Sequence, residues 1–144
     1  INKDSKKFYP AVHIGHGKYV SVFPDMTLGN FSFMSFEDPQ TIDHSLRPHM
    51  KVTQKFSLIF WFNMDKVFGK QKDRSMEEIK LEILTVINTK MFLDMGRITM
   101  SEIKKDAKNI YAGYDIDEVA SQFLMQPFGG LRFEGTIECT QIIC

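Results

Sequence analysis

The spacing of apolar and polar residues predicts a chain that is extended first, helical once at length, then extended again. Ala11 to Ile14 and Lys18 to Phe23 read as short extended pieces around a Gly15-His16-Gly17 turn. Pro24-Asp25 and Gly29-Asn30 bracket a loop, with Met26 and Leu28 near its tip. In the run from Phe31 to Phe36, Phe31 and Phe33 share one face of a strand, and Met34 and Phe36 the other. Glu37 to His49, which contains Pro39 and Pro48, predicts a long connection too polar for the core. Lys51 to Met64 is the clearest strand. Val52, Gln54, Phe56, Leu58, Phe60 and Phe62 fall on one side; Thr53, Lys55, Ser57, Ile59 and Trp61 fall on the other. It begins half-polar and ends apolar on both faces, as a strand does on entering the middle of a covered sheet.

Ser75 to about Phe92 predicts the main helix. Ser75 with Glu78 three residues later has the spacing of a capping box. Met76, Ile79, Ile83, Leu84, Ile87 and Met91 keep the 3,4 spacing of one buried face, and Lys80, Glu82 and Thr85 lie mostly opposite. Gly96 breaks the pattern. From Arg97 to Lys104 strand and helix compete, and the alternation of Ile98 and Met100 favours a strand to about Ile103. Asp106 to Tyr111 predicts one or two helical turns ended by Gly113, and Asp115 to Phe123 a short helix or a strand. Leu131 to Ile143 closes the chain as a strand, with Leu131, Phe133, Gly135, Ile137 and Cys139 facing one way. Arg132, Glu134, Thr136 and Glu138 face the other, a sheet wet on one side. The expected class is therefore α+β: a largely antiparallel sheet packed by one long helix and one or two short ones.

The 144 residues predict a single domain over 1–144, large enough to fold without a disulfide or metal. Because the chain opens on Ile1 rather than methionine, a preceding segment is expected. No charged-then-apolar leader suggests secretion. Eighteen Lys+Arg against 18 Asp+Glu argue against a protein that works by coating nucleic acid. The longest purely apolar run, Leu58 to Phe62, falls far short of the ~20 residues of a membrane span, so no membrane partner is expected. Cys139 and Cys144 make no disulfide framework, and a reduced compartment is the simpler reading.

Candidate chemistry is sparse. His13 and His16, with His44 and His49 downstream, suggest a metal, but i and i+3 on a strand point to opposite faces; surface histidines explain them better. Gly15 to Lys18 lacks the spacing and following helix of a phosphate loop and reads as a turn. Asp115, Asp117 and Glu118, with Asp106 upstream, do not match a calcium loop and read better as capping and early-helix charges. Lys66, Lys70, Lys72 and Arg74 enclose only one aromatic, Phe68, and suit a solvated loop more than a single-strand binder. No catalytic residue, metal or cofactor is expected, and the protein reads as a non-enzyme. Its oddest feature is thirteen phenylalanines and nine methionines. Most suit core positions. The strand Phe31 to Phe36, apolar on both faces, needs cover by a helix or a neighbouring subunit. Together with the loop-tip residues Met26 and Leu28 it leaves subunit contacts and intramolecular burial both open, the former preferred.

Several segments resemble bacteriophage tail-completion proteins, the tail-terminator family related to head–tail joining proteins. They are Phe8-Tyr9-Pro10, the loop and hairpin from Val20 to Phe36, and the strand Lys55 to Asn63 before a single helix at Ser75. Asn109 to Asp115 and Gln126 to Gly135 complete the set. The resemblance implies a structural virion protein, assembled in the host cytoplasm, whose subunits close into a ring, commonly of six. Such a ring caps the tail tube and meets the head-completion or neck protein, and DNA meets it only by passing through the lumen. Met26, Leu28 and Phe36 are then the candidate inter-subunit residues. The alternative is a small intracellular binding or adaptor domain that grips one partner through the apolar, Phe-rich hairpin.

Overall fold

In β1 (Ala11–Gly15) and β2 (Lys18–Ser21) the two short extended pieces pair antiparallel, Ala11 opposite Ser21 and Gly15 opposite Lys18. His16 and Gly17 turn the chain with φ of 50° and 72°. That is the left-handed sign a two-residue type I′ loop needs at both central positions, and histidine is among the few side chains that tolerate it. The computed structural model describes residues 11–22, 27–45, 49–69, 75–90, 96–114 and 127–142.

The remaining elements are β3 (Asn30–Phe36), β4 (Thr41–Asp43), β5 (His49–Asn63), α1 (Met64–Phe68), α2 (Met76–Lys90), β6 (Gly96–Lys104), α3 (Ala107–Ile110) and β7 (Phe128–Ile142). β3, β5, β7 and β6 lie in that order in a five-stranded sheet, and β4 also pairs with β5. The fold is mixed α+β with antiparallel sheets, as the pattern predicts. β2 pairs with β1 and β3 with β5, so the expected hairpin from Val20 to Phe36 does not form.

Two further expectations need correction. The connection from Glu37 to His49 holds a strand, β4, with Thr41 opposite Thr53 and Asp43 opposite Lys51. The Lys66 to Arg74 run begins as helix: Asn63 Oδ1 accepts the Asp65 N–H at 3.2 Å and caps α1, and residues 70–74 lie outside the described set. Asp115 to Phe123 and Met91 lie outside it too.

The described residues group into two compact units. In the first, Phe33, Ile59, Ile110 and Tyr111 form a buried cluster, with Val12, Val22, Phe31 and Tyr114 packed on it. Here β5 is buried on both faces, as its apolar end predicts. Trp61, 1% exposed, stacks between Phe31 at 5.3 Å and Phe128 at 5.1 Å.

In the second unit Phe56, Leu58, Ile79, Ile87 and Phe133 are buried. Ile79 and Ile87 lie on the predicted apolar face of α2, where Met76, Ile83 and Leu84 are half-buried. Ser75 Oγ accepts the Glu78 N–H at 3.3 Å, the cap its spacing predicts. The other face of β5 and β7 is polar here: Lys51 pairs with Glu138 at 2.8 Å, and Ser57 donates to Glu37 at 3.3 Å. The alternation expected for β7 shows at buried Phe133 and Gly135 against half-buried Glu134, while Thr136 to Cys139 are all half-buried and do not follow it.

Candidate functional site

The edge of the second unit is built by a register change. The Glu37 N–H donates to the Lys55 carbonyl at 3.1 Å, and four positions later Thr41 lies opposite Thr53. Four steps along this arm therefore cover two along β5, and the ladder is interrupted between β3 and β4. At this break Gln54 Nε2 donates to the Glu37 carbonyl and also, beside the Glu37 N–H, to the Lys55 carbonyl. At the far end of β4 the Ser45 N–H donates to Asp43 Oδ1 at 2.8 Å and holds that carboxyl below its ordinary range.

This register sets Phe36 opposite Phe56, and Ile42 lies opposite Val52. Facing residues of an antiparallel pair project to the same side, and Val52 and Phe56 share one face of β5. Phe36 and Ile42 therefore project from one face of the arm, 60% and 50% exposed. Phe36 is one of the sequence-predicted contact residues. Ile42 was not singled out. Its signal was a lone apolar residue within an otherwise polar connection.

Leu28, the second predicted contact residue, belongs to the first unit and is 45% exposed. Its loop is pinned on both sides. Lys66 Nζ donates to the Thr27 carbonyl at 2.7 Å, and the Asn63 N–H donates to the Gly29 carbonyl at 2.8 Å. The leucine is thus presented from held backbone. Met26, the third, lies outside the described residues. The hairpin adds further exposed apolar side chains, Ile14, Tyr19 and Val20.

On the polar face of the second unit a groove of about 350 Å³ is lined by Glu37, Lys55, Ser101, Glu102, Glu134 and Thr136, among others. Ser101 Oγ donates to the Glu134 carbonyl at 3.1 Å. Among the described residues no group of three or more His, Cys, Asp or Glu side chains is placed to hold a metal ion. His13 lies against Tyr19, ring centroids 5.1 Å apart, and His44 and His49 are exposed. No helix among the described residues is long and apolar enough to cross a membrane.

One predicted wet-face residue departs from its pattern. Arg132 is 8% exposed in the first unit, where its Nη1 donates to the Ala112 carbonyl at 2.8 Å and the Ile110 carbonyl at 3.5 Å. These carbonyls lie at and just beyond the end of α3, where a helix leaves acceptors without intrahelical partners. The guanidinium satisfies them and completes that end. Comparison with protein families, with curated proteins and with solved structures returned no match.

Proposed function

We propose that the chain is a structural virion protein whose copies close into a ring that caps a tail tube and joins the tail to the head or neck. The observation that carries this reading is the β3–β4 edge, which exposes Phe36 and Ile42 from one face. A sheet edge offers unpaired backbone donors and acceptors, and two large apolar side chains beside them favour cover by another chain. β3 and β6 stand at opposite ends of the strand order. Two different edges suit the heterologous contact that builds a ring, in which the patch on one copy meets a different patch on the next. In this reading the sheet is packed by one long helix, α2, through Ile79 and Ile87. No catalytic group or cofactor is required. A lumen that passes DNA is expected to be acidic or neutral, since phosphate binding draws on basic excess, and the balanced net charge is compatible with this.

The test is the native mass of the purified protein across a concentration series, with and without tail tubes. A discrete species several-fold above 16.7 kDa, alone or on tubes, is expected. A monomer at every concentration that leaves tube ends uncapped overturns the reading. The second reading, a small binding domain, rests on the β1–β2 hairpin, whose Ile14, Tyr19 and Val20 are exposed. It expects a monomer or dimer that loses its partner when Tyr19 is replaced by Asp.

A further inference from the structure

We draw no further inference here: the strongest candidate, the groove on the polar face of the second unit lined by Glu37, Lys55, Ser101, Glu102, Glu134 and Thr136, is a carboxylate cluster with no second observation in the structure that points to a ligand.

Discussion

Tyr111 carries its ring into the first unit's cluster, 6.3 Å from Phe33, while its hydroxyl has no hydrogen-bond partner among the described residues. Burial pushes that hydroxyl's pKa well above the ordinary value of 10.0. The fold therefore favours the neutral phenol. The associated stability is complete below the unfolded pKa and is lost as pH rises from there through the raised folded value. Tyr111→Phe keeps the ring and removes the group whose burial is uncompensated. The variant is expected to match or exceed the parent by roughly 1 kcal/mol near neutral pH, with a flatter loss of stability above pH about 10. Urea titrations at several pH values measure both effects. Arg132 is the opposite case, a buried charge whose hydrogen bonds are made. Arg132→Met leaves the buried Ile110 carbonyl and the half-buried Ala112 carbonyl without this donor and is expected to cost roughly 1–3 kcal/mol. Trp61, the single tryptophan and a buried one, reports the unfolding by fluorescence. Arg132→Lys is expected to recover part of the loss, because both carbonyls are met by a single nitrogen and an ammonium carries three donors on a shorter stem.

Along β7 the small residues mark where other backbone comes close. A Cβ at Gly135 would run into the Thr99 carbonyl of β6 and come within 3.1 Å of the Phe56 ring. The obstacle is backbone, which cannot rotate aside. Gly135→Ala is therefore expected to lower stability by roughly 1–3 kcal/mol, read as a fall in the thermal midpoint by circular dichroism. Gly29→Ala is its control. There the nearest atom is Lys66 Cβ at 3.6 Å, ordinary contact, and little change is expected. Elements with a sustained period were legible in the sequence: β5 by its run of alternating and then continuous apolar residues, α2 by its 3,4 stripe and Ser75 cap. β4 was not, because a three-residue strand has too few positions to show a period and exists through its pairing with Lys51 to Thr53. α1 was hidden behind the apolar end of β5, although Asn63 followed two residues later by Asp65 is a readable start signal.

At the scale of the whole molecule the open question is what covers the exposed apolar residues. Phe36→Asp with Ile42→Asp places two carboxylates on the β3–β4 edge without touching a buried position. If that edge is a subunit contact, the native mass falls to 16.7 kDa while the circular dichroism spectrum is unchanged. An assembly that survives the double change removes the edge from the proposal. Leu28→Asp with Met26→Asp probes the predicted loop contact in the same way, and unchanged assembly there would retire those two residues. Phe36 and Leu28 are legible in the sequence because apolar residues in a turn or on a second strand face stand out one residue at a time. That Phe36 and Ile42 share one face is not legible there, because it depends on how residues 37–43 meet residues 51–55.

Taken by itself, the sequence determined the local conformations: the glycine turn between β1 and β2, the long apolar strand, the capped amphipathic helix and the closing alternating strand. Each is marked by a pattern among residues a few positions apart, so period and caps suffice to place it. Tertiary structure alone decided the strand order, the β4 pairing, the exposure of Phe36 and Ile42 and the burial of Arg132. These depend on contacts between residues far apart in the chain. Arg132 has the same alternation as Glu134 and Glu138, and what separates it is the free carbonyls after α3, twenty and twenty-two positions earlier, that its guanidinium meets.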